Sequence, residues 1–163
     1  MAKMQFFFDY ECPFCKTGYE LLMKEIKNHP GIEIEYLPIE LNPTPGNPSP
    51  RTCLAGQCYY IARELEADTP AFHAAMYQAI SIKRRDPEDP RVLCDILKGI
   101  VDPAPLRAML DSGKYAKQIY ENNDLAYEKS GVWYVPAFRM AGKKLDSRGG
   151  AGVSAGEVRK FLQ

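Results

Sequence analysis

A chain of 163 residues, 45 % of them hydrophobic and including seven Phe, ten Tyr and one Trp, is long enough for one domain with a well-filled core. Its 21 basic and 21 acidic side chains cancel, so no global field draws it to nucleic acid or to an anionic membrane. No apolar run approaches the roughly 20 residues needed to span a bilayer, and five cysteines, an odd count, argue against a structural disulfide framework.

Met1 to Lys3 lead straight into an apolar run, Met4 to Phe8, which reads as a strand. That leaves no room for the charged region, apolar core and cleavage site of a signal peptide, so the expected location is cytoplasmic. Asp9 and Tyr10 end the strand, and Cys12-Pro13-Phe14-Cys15 opens a helix expected from about Pro13 to Lys27, with Pro at its first turn and Leu21, Leu22 and Ile26 on its apolar face. His29-Pro30-Gly31 is turn chemistry, and Ile32 to Leu37 alternates in the manner of a half-buried strand. The opening is therefore β-α-β with parallel strands and a right-handed crossover.

Pro43, Pro45, Pro48 and Pro50 exclude helix and inner strand from Asn42 to Pro50, which reads as a loop and a boundary. Beyond it, from about Thr52 to Lys129, every signal is helical. Thr69-Pro70, Asp89-Pro90 and Asp102-Pro103 each place a capping residue before a helix-starting Pro. Four short helices are expected, followed by a longer one from about Tyr115 to Lys129 that closes at Gly131. Lys83-Arg84-Arg85 reads as a solvated helix end. Pro136 to Met140 and Lys143 to Leu145, joined through Ala141-Gly142, read as a hairpin. Arg148 to Gly152 reads as a flexible Gly-rich link, since it lacks the Lys and Ser/Thr of a phosphate-binding loop. Ser154 and Glu157 form a capping box for a last helix ending near Leu162.

The chemistry is concentrated in the cysteine pair. A strand carries Cys12 to a sheet edge, and the helix after it aims unpaired N–H groups and its positive end at the first sulfur. Both favour the thiolate, which is the species that attacks disulfides. Cys15, one turn inward and less exposed, is then the resolving thiol. Asp9 has two readings, a proton shuttle for Cys15 or an ordinary helix-entry residue.

Two stretches together resemble the DsbA-like thioredoxin-fold oxidoreductases, most closely their FrnE-type and 2-hydroxychromene-2-carboxylate isomerase-like branch. They are Phe7-Phe8-Asp9-Tyr10-Glu11-Cys12-Pro13-Phe14-Cys15 and Gly131-Val132-Trp133-Tyr134-Val135-Pro136. The order β-α-β, helices, β-β-α agrees, so the expected fold is α/β: a thioredoxin fold over residues 1–163 with a helical insertion at about 52–129. The insertion is shorter than in the family, which implies a smaller or more open substrate groove. The resemblance implies a cis bond from Val135 to Pro136 facing the cysteines, leaving the Val135 backbone for a substrate strand to pair with. It further implies protein or peptide thiol and disulfide substrates, a redox recycling partner, no metal or resident cofactor, and glutathione as a candidate co-substrate held between Val135 and the Cys12 helix end. Trp133 and Tyr134 either line that groove or pack in the core, and Phe14 should be partly exposed. The inner Pro13-Phe14 lacks the His of strongly oxidising members. Cys12 should therefore titrate nearer the thioredoxin value of about 7 than the lowest recorded value of about 3.5, and Glu11 beside it acts in the same direction.

Cys53 and Cys58 are either a second redox pair or buried free thiols. Five positions apart on a regular helix they diverge by about 140°, so pairing needs Cys53 in the preceding loop or a helix broken at Gly56. Cys94 reads as core. A different class of function, a zinc module on Cys12, Cys15, Cys53 and Cys58, would place C-x-x-C on a knuckle turn without the flanking strand and helix. A redox-regulated holdase would keep the groove without turnover. The isomerase branch has Ser where Cys12 stands and lacks the second cysteine, which argues against glutathione-dependent isomerisation or transfer. His29 and His73 have no ligand-spaced partners.

Overall fold

The computed structural model describes residues 2–41, 52–149 and 151–163; the loop expected from Asn42 to Pro50 lies outside them. Strand β1 (Ala2–Phe8) is central in a four-stranded sheet of order β2-β1-β3-β4. Its run Phe6, Phe7, Phe8 is fully buried, as expected of a strand covered on both faces, and each ring contributes about 2 kcal/mol by leaving water. β2 (Ile32–Pro38) pairs with β1 in parallel, from Ala2 opposite Ile32 to Phe8 opposite Pro38. On the other side β3 (Ala137–Met140) runs antiparallel, with Phe6 opposite Phe138 and the two rings stacked at 5.0 Å. β3 turns into β4 (Lys143–Asp146) through Ala141 and Gly142, both at positive φ, the two-residue turn that matches strand twist.

Helix α1 (Pro13–Ile26) joins β1 to β2, with Pro13 in its first turn and Cys15, Gly18, Tyr19 and Leu22 buried along one stripe. Between β2 and β3 the described chain carries α2 (Cys53–Glu64), α3 (Thr69–Met76), α4 (Pro90–Ile96), α5 (Pro103–Ser112) and α6 (Ala116–Asp124). Asp89 and Asp102 cap α4 and α5 as expected. At α3 the cap is Asp68, one residue before the expected Thr69, because its carboxylate accepts the Ala71 N–H. α3 and α6 each run on into a wider π-helical turn, Tyr77–Ile82 and Leu125–Lys129. α7 (Ala155–Leu162) begins with the Ser154 and Glu157 capping box.

Sheet and helices meet in an aromatic cluster centred on His73. Its ring lies 4.7 Å from Tyr36, 4.9 Å from Tyr19 and 5.5 Å from Tyr59, and its Nδ1 is 3.1 Å from the Tyr10 hydroxyl. Burial lowers its pKa to about 3, so it is a neutral core residue. Among the described residues no helix is long and apolar enough to cross a membrane. The architecture is the α/β thioredoxin type expected from the order of elements.

Candidate active site

Cys12 stands at the junction of β1 and α1. Its N–H bonds the Asp9 carbonyl at 3.1 Å, its backbone is extended, and its own carbonyl opens the helix by accepting from Cys15 and Lys16. The first turn has no side-chain cap and Pro13 has no N–H, so the Phe14 N–H, together with the Cys15 N–H that also bonds the Cys12 carbonyl, serves a sulfur anion. Hydrogen bonding from the Cys15 thiol, joined by the Cys15 and Phe14 N–H groups, outweighs burial and lowers the Cys12 thiol to about 7. This is the thioredoxin-like acidity expected. Cys15 is fully buried, and desolvation, with the neighbouring Cys12 second, pushes its thiol well above the usual range. One thiol is thus prepared as a thiolate at neutral pH while its partner is held protonated.

The opposite wall is the segment before β3. The Val135-Pro136 bond is cis, and the Cys12 thiol points to the Val135 carbonyl at 3.9 Å. Gly18 of α1 lets this wall approach, because a Cβ there would lie 2.8 Å from Pro136 Cγ. Trp133 is 84 % exposed, Tyr134 54 % and Phe14 39 %. Of the two readings of Trp133 and Tyr134, core packing holds for neither ring. The Gly-rich segment expected as a flexible link lies in part outside the described residues; of those described, Ala151 N–H bonds the Arg148 carbonyl at 2.8 Å, and Arg148 bridges Gly152. Glycine leaves room for the rings at two of these positions: Tyr134 lies over Gly149 and Phe14 over Gly152, where a Cβ would stand 3.1 and 3.0 Å from them.

Asp9 is buried, with Oδ1 accepting the Glu11 N–H at 2.8 Å and Oδ2 accepting the Thr52 hydroxyl at 2.8 Å and the Leu41 N–H at 3.1 Å. Desolvation outweighs these donors and raises its carboxyl to about 7, close to the Cys12 value. Its charge also raises the Cys15 thiol, after burial and the neighbouring Cys12. Sequence reasoning missed two contributors. Thr52 was legible as the residue before a helix, but the direction of its hydroxyl was not. Arg84, in a run expected to be only solvated, donates to the Glu11 carbonyl at 3.2 Å, 73 positions away, while Arg85 pairs with Asp95.

A family model described as a DSBA-like thioredoxin domain matches residues 3–155. The chain belongs to that family. Its fold is similar to that of a probable DsbA oxidoreductase from Streptomyces coelicolor, at TM-score 0.81 and 16 % identity over 99 % of this chain and 88 % of that one. The DsbA of Chlamydia trachomatis superposes at 0.70 with 14 % identity over 99 % and 84 % of the two chains, and that of Pseudomonas aeruginosa at 0.70 with 19 % identity over 98 % and 79 %. No curated protein matches the sequence.

In this DsbA-like domain the second cysteine pair is not brought together. Cys53 is the first residue of α2 and Gly56 lies inside the unbroken helix, so neither condition for pairing is met and the side chains diverge by about 140°. Cys53, Cys58 and Cys94 are free thiols. Cys53 accepts from Gln57 at 3.3 Å, and burial, then the Glu40 and Glu88 charges, raise its pKa. Burial pushes the Cys58 thiol up, and Cys94, expected in the core, is only partly buried. The four cysteines of the zinc alternative do not converge: among the described residues no group of three or more His, Cys, Asp or Glu side chains is arranged to hold a metal ion.

Proposed function

We propose that this chain is a protein thiol-disulfide oxidoreductase of the FrnE type, working through Cys12 and Cys15. The observation that carries the reading is the acidic Cys12 thiol at the helix start, facing the cis Val135-Pro136 bond, with a protonated Cys15 one turn inside. The Cys12 thiolate attacks a substrate disulfide, forming a mixed disulfide and releasing one substrate thiolate. Cys15 then passes its proton to Asp9 and attacks Cys12 Sγ, closing the Cys12–Cys15 disulfide as the second substrate sulfur departs. The substrate is reduced by two electrons and the pair is oxidised; the reverse sequence oxidises a dithiol.

Peptide substrates lie along the Val135 backbone, against the flat apolar faces of Trp133, Tyr134 and Phe14. An odd number of cysteines supports work in a reducing compartment, the cytoplasm. Glutathione, a small thiol able to enter beside Cys12, fits the role of recycling co-substrate.

The test is to equilibrate the protein across glutathione redox buffers, quench with an alkylating agent and count free thiols by intact mass. Cooperative loss of two thiols, mapping to Cys12 and Cys15, is expected. Loss of none, or of a pair that includes Cys53 or Cys58, overturns the assignment.

A further inference from the structure

Thr52 occupies the N-cap of α2 and does not behave as a cap. A capping Thr has extended backbone and accepts a first-turn N–H with its hydroxyl. Thr52 makes no such bond, and its backbone sits in the left-handed region at φ 78, a strained conformation for a β-branched residue. The capping work is done from elsewhere in the chain: Glu88 accepts the Leu54 N–H at 3.2 Å and bonds the N–H of Thr52 itself. The freed hydroxyl, on a residue only 2 % exposed, turns away from its helix and donates to Asp9 Oδ2 at 2.8 Å, across 43 positions of chain. Strained non-glycine residues persist where the surroundings over-determine them, and such places cluster at functional sites.

We propose that Thr52 is a positioning residue for disulfide exchange: its hydroxyl orients the buried Asp9 carboxylate that takes the Cys15 proton. The proposal rests on the dithiol reading above and extends it to the geometry of the proton acceptor. With Glu11 N–H on Oδ1 and Leu41 N–H sharing Oδ2, the Thr52 bond is the one side-chain donor in the described set and the one that reaches the carboxyl from the α2 side. Removing it leaves the carboxylate less stabilised and raises the pH at which Asp9 can accept. The other groups facing Asp9 are Glu11 in its own loop, Cys15 from α1 and Tyr127 from the turn after α6. Glu88 lies behind Thr52 and Glu40 beyond Tyr127. All of them are kept in every variant below, so their titrations are common to the comparison.

Reduced protein is mixed rapidly with a fluorogenic disulfide-linked peptide in single turnover, and the rate of the second, resolving phase is followed from about pH 5 to about pH 9. Thr52→Val keeps the β-branched shape and the strain but loses the hydroxyl. Thr52→Gly loses the hydroxyl and relieves the strain, so it serves if Val folds poorly. Thr52→Ser keeps the hydroxyl. Val and Gly are expected to move the profile to higher pH, slowing resolution about threefold or more below its midpoint, while Ser follows the parent. In an Asp9→Asn background, Thr52→Val should change nothing further. A Val or Gly profile that superimposes on the parent overturns the proposal, and so does a shift that persists without Asp9. Absence of a Cys12–Cys15 couple in the redox titration overturns the proposed function, whereas an intact couple with an unshifted profile overturns the role of Thr52 alone.

Discussion

The first turns of α1 and α2 each carry a cysteine and, three residues past a cysteine, a buried glycine, yet they make opposite thiols. At α1, Cys12 takes the cap position, no carboxylate competes for the first-turn donors, and its thiol falls to about 7. At α2, Cys53 stands one position inside the helix, Glu88 accepts the Leu54 N–H, and burial with the charges of Glu40 and Glu88 raises its thiol. The helix dipole is common to both. What differs is that Cys12 receives the Cys15 thiol with the Cys15 and Phe14 N–H groups, whereas Cys53 is buried near two carboxylates, and that decides which sulfur is a nucleophile.

The largest expected effect breaks the α1 side outright. Cys12→Ser should reduce insulin no faster than solution thiols, and Cys15→Ser should accumulate mixed disulfides visible by intact mass. Full activity in Cys12→Ser would remove the contrast. Asp9→Asn is expected next. The Asp9 carboxyl, raised from 3.8 to about 7, binds its proton more tightly in the folded than in the unfolded chain. Its contribution to stability is complete below about 3.8 and is lost as pH rises through 7. In urea titrations the stability difference between Asp9→Asn and the parent should therefore grow, in favour of the variant, by up to about 4 kcal/mol from pH 4 to above 7. A difference independent of pH would mean a carboxylate ionised throughout.

The two glycines sharpen the comparison at lower amplitude. A Cβ on Gly18 meets the rigid Pro136 ring at 2.8 Å, whereas one on Gly56 meets the end of the flexible Ile119 side chain at 2.9 Å. Gly18→Ala should cost about 2 kcal/mol in thermal unfolding and also slow exchange by displacing the proline. Gly56→Ala should cost less, helped by better helix propensity, and leave exchange unchanged. Smallest of all, Cys53→Ser and Cys58→Ser should leave insulin reduction as it is. The alkylation rate of Cys12 should reach half its maximum near pH 7, and that of Cys53 only above pH 9.

Much of this was legible because the responsible physics is local. The Phe-rich run of β1, Pro13 at a helix start, the Asp89 and Asp102 caps and the Ser154 capping box each depend on neighbours within four residues. The cysteine motif and the Val135-Pro136 segment were readable as a pair through family likeness. What was not legible is set by distant contacts. Thr52 and Asp9 are separated by 43 positions, Arg84 and Glu11 by 73. The glycines at 149 and 152 looked like a link because the rings that lie over them come from Tyr134 and Phe14. The π-helical turns after α3 and α6 follow amphipathic stretches whose 3.6-residue period gives no sign of an added residue.

The aromatic cluster around His73 gives the fold a proton balance. Burial lowers this imidazole from 6.5 to about 3, so its contribution to stability is complete above about 6.5 and fades as pH falls through 3. Asp9 behaves in the opposite way. Between about pH 4 and pH 6.5 the folded chain holds one proton on Asp9 and none on His73, and the unfolded chain the reverse. Within that interval, for these two groups, unfolding is a transfer of one proton from carboxyl to imidazole with no net exchange with solvent. Their opposing slopes cancel, leaving a weakly acidic window in which neither tips the balance between folded and unfolded chain.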